Sequence, residues 1–158
     1  MAQVLSPKPA EATLPVFFNV EGVVGSAPAD NRGEDVLLVQ FFMSIVAATP
    51  TAKTEPELIA AFKRVSVSGS IDQATIDAIR TYQHIRRNSD GPSQVVDGRI
   101  SPARGYRFGN TIYTIVLLND MVQNRNTDIW PRIDRIPGCP TALKTLVERE
   151  LVGKGFPK

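Results

Sequence analysis

Hydrophobic and polar positions divide the chain into segments of different period. Between Leu14 and Gly25, Val16, Phe18 and Val20 alternate with Phe17, Asn19 and Glu21. That two-residue period predicts a β-strand, with Gly22–Gly25 as a bend or second short strand. A lone strand is unstable in water, so this one needs a partner: Val65–Val67, Val95–Val96 or another chain. Asn31 and Glu34 have capping-box spacing and precede Val36–Val46, a run that is apolar almost all round. Its length and the cap predict a helix, which must be covered on several sides by the chain's extensions or by a partner. Thr54, Pro56 and Glu57 start a second, short helix with Leu58, Ile59 and Phe62 on its apolar face. Gly69 predicts a tight turn, and Ser70 or Asp72 caps the helix that follows. Ile71, Thr75, Ala78, Ile79 and Tyr82 fall on one stripe of that helix, and Ala74 and Ala78 would let a neighbour approach. Its basic end, Arg86 and Arg87, suits the negative pole of the helix dipole. Thr111–Val122 is β-branched, which argues strand, yet Ile112, Ile115, Val116, Asn119 and Val122 also fit a helical face. Asn124–Gly138 reads as a long loop. Pro140 and Thr141 start a last helix with Leu143, Leu146, Val147 and Leu151 as its stripe. No internal repeat is visible.

Several of these stretches together are similar to a known family. The Gly69 turn with Thr75, Ala78, Ile79, Tyr82 and Gln83, then Asp97-Gly98 with Ser101-Pro102, resembles the peptidoglycan-binding domain family, a three-helix cell-wall-binding module. Val36-Leu37-Leu38-Val39-Gln40 matches the hydrophobic-x-x-hydrophobic-Gln pattern of the family's first helix. The resemblance covers Asp35 to Met121 and implies a mainly α fold with Thr111–Val122 helical. The expected architecture is a three-helix core over residues 35–121, elaborated by an N-terminal β-strand, an inserted short helix and a C-terminal helix. Residues 1–13 are expected to be a flexible arm, 14–158 a single domain, and 122–158 its C-terminal extension. The implied function is non-catalytic binding of peptidoglycan, glycan or stem peptide. Arg99, Tyr106 and Arg107, in or just after the family-like loop, are the candidate ligand-binding residues. An arginine fork can hold a stem-peptide carboxylate, and a tyrosine ring can cover a sugar's apolar face. Gln40 and Gln83 read as buried amides that bridge helix ends.

Composition narrows the alternatives. At 158 residues and 42% hydrophobic, one domain with a real core is expected. Residues 1–79 hold five Lys/Arg against nine Asp/Glu, a net of −4, while 80–158 hold 13 against seven, a net of +6. The basic half is arginine-rich, with Arg80, Arg86, Arg87, Arg99, Arg104 and Arg107 close in sequence. That is a solvated face or an anion-facing surface. With Tyr82, Tyr106 and Phe108 interleaved it also admits nucleic acid, though no recognised motif accompanies it. The single cysteine, Cys139, excludes an internal disulfide and a thiolate zinc cluster, and the single histidine, His84, excludes a two-histidine metal site. No metal or cofactor is expected. Cys139 with His84 is the one conceivable nucleophile pair, without a local signature. Glycosidase chemistry needs two carboxylates across a cleft. Glu148 and Glu150 do not share a helix face, Asp72 and Asp77 suit a helix start, and Asp97 suits a turn. Wall hydrolysis is therefore a weaker alternative, and no enzyme activity is expected. The stronger rival is a structural adaptor that uses the fold for protein contacts or self-association in a phage, contractile injection or secretion complex. No signal peptide and no membrane-length apolar run are read, so synthesis in the cytoplasm is expected, with delivery by a secretion machine, phage particle or lysis.

Overall fold

The computed structural model describes residues 2–5, 17–104, 107–108 and 111–152, with the backbone alone at 3–5, 107–108 and 111. Among these the chain is mainly α. Its elements are β1 (Gln3–Leu5), β2 (Phe17–Asn19), β3 (Val24–Gly25), α1 (Gly33–Ala48), α2 (Pro56–Lys63), α3 (Gln73–Asp90), β4 (Arg99–Ile100), β5 (Arg107–Phe108), β6 (Thr111–Ile112), α4 (Thr114–Arg125) and α5 (Thr141–Val147). A 3₁₀ turn at Ile133–Arg135 precedes α5, and a π-helical turn at Glu148–Val152 follows it.

Helix α1 is the hub. Eleven of its 16 residues are buried, which its all-round apolarity requires. Glu34 and Asp35 place negative charge in its first turn, where the helix dipole favours it. At its far end Thr49 satisfies the last carbonyls, its N–H donating to Ile45 and Val46 and its hydroxyl to Ile45, and Pro50 follows. The cover comes from within the chain: α2, α4, α5 and β3 all pack on α1. Phe42 of α1, Phe18 of β2 and Trp130 form an aromatic trio, with edge-on contacts of 6.0 Å for Phe18–Phe42 and 5.5 Å for Phe18–Trp130. Burying a phenylalanine of this kind contributes about 1.5–3 kcal/mol. Buried apolar residues from Ala2 to Leu151 form one cluster.

Several local expectations are corrected. The N-terminal strand pairs neither with Val65–Val67 nor with Val95–Val96; β2 runs antiparallel to β1, with Val4 opposite Phe18. Residues 3–5 thus belong to a strand, where a flexible arm over 1–13 is expected. Asn119 of α4 serves both backbone groups of Phe18, accepting from its N–H at 2.7 Å and donating to its carbonyl at 2.8 Å. Asn19 in turn brackets Ala103, accepting from its N–H and donating to its carbonyl. Strand β3 forms separately and pairs with β4. Asn31 is no helix cap. It sits in the left-handed region at φ 49°, and its amide grips both backbone groups of Gly25. The buried Asp35 accepts from the N–H groups of Glu21 and Gly22 instead. Helix α2 starts one residue later than Thr54 implies, because that hydroxyl is engaged with Thr51 and Arg125. The β-branched run from Thr111 divides: its first two residues pair with β5, and the helix begins at Thr114.

Candidate functional site

Helix α3 begins as its sequence dictates. Asp72 is the N-cap, and its carboxylate accepts from the Thr75 N–H at 2.9 Å and the Thr75 hydroxyl. From this start the 3.6-residue period buries Thr75, Ala78, Ile79, Tyr82 and Gln83. Gln83 therefore faces inward, and its amide binds the turn at Asp97-Gly98-Arg99. Its carbonyl accepts from the Asp97 and Gly98 N–H groups at 3.1 and 2.9 Å. Its NH₂ donates to the Arg99 carbonyl at 2.9 Å and to the Thr114 hydroxyl at 3.2 Å, with Asp97 Oδ1 a further acceptor at 3.2 Å. The turn needs φ +70° at Gly98, which glycine adopts freely. The residue after β3 braces it from the other side: Ser26 donates its N–H to the Gly98 carbonyl and its hydroxyl to the Asp97 carbonyl.

Beside this turn lies a groove of about 420 Å³. Its polar lining includes Gln83, Asp97, Arg99, Ser101, Arg104 and Tyr113, and its apolar lining includes Val23, Val95, Pro102 and Ile112. Arg99 is half-buried on β4. Its Nε stands 4.0 Å from Asp97 Oδ2, a loose ion pair that leaves the guanidinium available to a better anion. Asp97 Oδ1 is committed to the Arg99 N–H at 2.9 Å, the turn-forming role that its position predicts. Arg104 is exposed on the rim.

The three candidate residues fare differently. Arg99 lines the groove. Tyr106 lies outside the described residues. Arg107 is placed by its backbone alone, opposite the groove-lining Ile112 in the β5–β6 ladder. Sequence reading passed over Tyr113, although an aromatic residue directly before a helix start was the available signal. Gln83 and Gln40 both hold the role expected of them.

Gln40 repeats the arrangement at Gln83. On α1 it accepts from the Ser68 and Gly69 N–H groups, both at 2.9 Å, and donates to the Ser70 carbonyl and the Thr75 hydroxyl. The chain thus contains a repeated device that its residue pattern hides. Val36/Val39/Gln40 and Ile79/Tyr82/Gln83 share the spacing, but the turn follows 29 residues after one glutamine and 15 after the other.

Reactive chemistry finds little footing. Cys139 is buried, its thiol pKa is pushed up to about 11 chiefly by burial, and its hydrogen bond goes to the Pro140 carbonyl. His84 is exposed on α3 and is not among the charges acting on that thiol. No group of three potential metal ligands occurs among the described residues. Asp77 holds the Gln73 amide, and among the described residues Asp97 is the one carboxylate lining the groove. The arginines are dispersed into local roles: Arg86 pairs with Asp90 at 2.8 Å, and Arg87 donates to the Pro92 carbonyl. Tyr82, interleaved with them in sequence, is buried against Phe62 and offers no stacking face.

No family model, curated protein or solved structure matches this chain. The likeness to the peptidoglycan-binding family therefore stands on the residues themselves. No described helix is long and apolar enough to cross a membrane.

Proposed function

We propose that the chain is a non-catalytic binding module for cell-wall peptidoglycan, and that the groove beside the Gln83-clamped turn takes the ligand. The observation that carries this reading is the groove's lining: an arginine fork at Arg99, a second cation at Arg104 and the Tyr113 ring, around a turn fixed from both sides. A guanidinium receives a stem-peptide carboxylate in bidentate fashion, and a phenol ring packs on the apolar face of a sugar. Fixing the turn before binding lowers the ordering cost that a shallow site must meet. Wall hydrolysis gains less support, since among the described residues Asp97 is the one carboxylate in the groove's lining and it is already engaged.

Part of the support for the adaptor reading is an over-apolar first helix and a strand without a partner in the sequence pattern. Both are satisfied within the chain, by the packing on α1 and by β1. Among the described residues the exposed large hydrophobics are Val67 and Val95, too few for a broad apolar contact face.

The test is co-sedimentation with insoluble peptidoglycan sacculi at two salt concentrations. The chain should sediment at both, and Arg99→Ala combined with Arg104→Ala should abolish this with an unchanged helical circular dichroism spectrum. Binding that disappears at the higher salt would mean generic attraction to the basic half. Absence of binding at either salt would put the protein-contact reading ahead of it.

A further inference from the structure

One residue before Gln83, and about 100° round the same helix, α3 presents Tyr82 to a different cavity. This second cavity, about 290 Å³, lies between α3, α4 and the chain leading into α2. That is near the lower bound of roughly 300 Å³ for small-molecule sites. Two of its lining groups are unusual. Tyr82 is 2% exposed, and its hydroxyl, which is not sealed from solvent, has no hydrogen-bond partner among the described residues. A hydroxyl that faces a cavity without a protein partner is free to donate to a ligand there.

The second group is Arg125. Its Nε donates to the Thr49 carbonyl at 2.7 Å, one Nη to the Met121 carbonyl at 3.0 Å and the other to the Thr54 hydroxyl at 2.9 Å. All three acceptors are neutral. No carboxylate lies within ion-pair distance among the described residues, and partial burial already lowers its pKa. A guanidinium has five N–H donors, so one remains on each Nη. Three fixed bonds hold it in place before any ligand arrives. Arg86, by contrast, is neutralised by Asp90.

We infer that this cavity binds a small carboxylate, which accepts from the Tyr82 hydroxyl and the free Arg125 N–H groups. Glu55 and Asp120 also line the cavity, so a multiply charged anion is disfavoured and a single carboxylate relies on the Arg125 charge to offset them. The site is separate from the groove at Arg99 and does not depend on the function proposed for it.

The experiment is a titration of the isotopically labelled full chain with sodium propionate, against equal sodium chloride, followed by amide and Arg Nε–H resonances. Saturable shifts confined to residues 51–55, 82–89 and 117–125 are expected, at the millimolar affinity that so few ligand atoms allow. Tyr82→Phe keeps the ring against Phe62 and removes only the hydroxyl. It should weaken propionate at least fivefold while melting no lower than the parent. Shifts that grow linearly, that chloride reproduces, or that persist undiminished in Tyr82→Phe would overturn the site. N-acetylglycine and its amide identify the source of the carboxylate. Tighter binding of the free acid than of propionate marks a peptide carboxyl end, the reverse order marks a free small acid, and equal binding of acid and amide overturns the proposal.

Discussion

At Gly69 a glutamine on α1 receives two successive backbone N–H groups and returns its own NH₂ to the next carbonyl and to a threonine. At Gly98 a glutamine on α3 does the same. Both glycines have positive φ, +79° and +70°. The surroundings part company. The first turn lies at the surface and runs straight into the α3 cap, with Thr75 only six residues beyond Gly69. The second is enclosed by β3 and by Arg80, and Thr114 follows Gly98 by sixteen residues. The intervening chain holds the β5–β6 ladder and the groove rim. One local device therefore fixes two helix junctions, and the junction with the longer intervening chain carries the groove. A repeated clamp gives rigidity; the longer chain beside it gives a place to bind.

The largest expected effect comes from the brace. A Cβ on Gly25, at φ +133°, would lie 2.1 Å from the Gly98 carbonyl oxygen, so backbone must move. Gly25→Ala should cost about 4 kcal/mol in chemical denaturation. A cost under about 1 kcal/mol would show that β3 does not hold the second turn. Next are the glutamines themselves. Gln40→Ala frees a surface turn whose Ser68, Gly69 and Ser70 groups water can reach, and should cost about 2 kcal/mol. Gln83→Ala should cost more, about 3 kcal/mol, because its partners Gly98 and Thr114 are buried, and it alone should impair sacculus binding. Equal losses, with binding intact in both, would break the distinction between the junctions. The glycines come third. Gly98→Ala meets Arg80 Nε at 2.7 Å and should cost about 2 kcal/mol, whereas Gly69→Ala meets only ordinary contacts, the nearest the Gly33 carbonyl oxygen at 3.5 Å, and should cost only the strain of its φ, about 1 kcal/mol. The threonines give the smallest contrast. Thr75 also donates to Asp72, so Thr75→Val should cost about 1.5 kcal/mol against about 0.5 kcal/mol for Thr114→Val. Thermal melts of the two variants check the order.

What was readable in the sequence follows the range of the forces involved. Helix α3 was readable because its cap, stripe and inward amide lie within a few turns of each other: Asp72, Thr75, Ala78, Ile79, Tyr82 and Gln83. The burial of α1 followed from apolarity alone. Strand partners were not readable. Asn119 and Asn31 carry no periodic signal, and only the assembled chain brings Asn119 to Phe18 or Asn31 to Gly25. The β-branched run at Thr111 divided because two residues joined a ladder, a choice that propensity cannot locate to the residue. The groove was half readable. Its turn and Arg99 were visible, while Tyr113 depends on where α4 begins. The cavity at Tyr82 was hidden, because a stripe tyrosine reads as core until its hydroxyl is found without a partner.

The grip of Asn119 on Phe18 spans 101 residues of chain. On a translating ribosome Phe17 and Phe18 leave the exit tunnel long before the helix that shelters them. A nascent chain therefore displays an aromatic strand with open edges until α4 emerges, which is the kind of segment that chaperones and aggregates both seize. Stalling synthesis before residue 119 would expose that vulnerability; completing it would close the gap in one step.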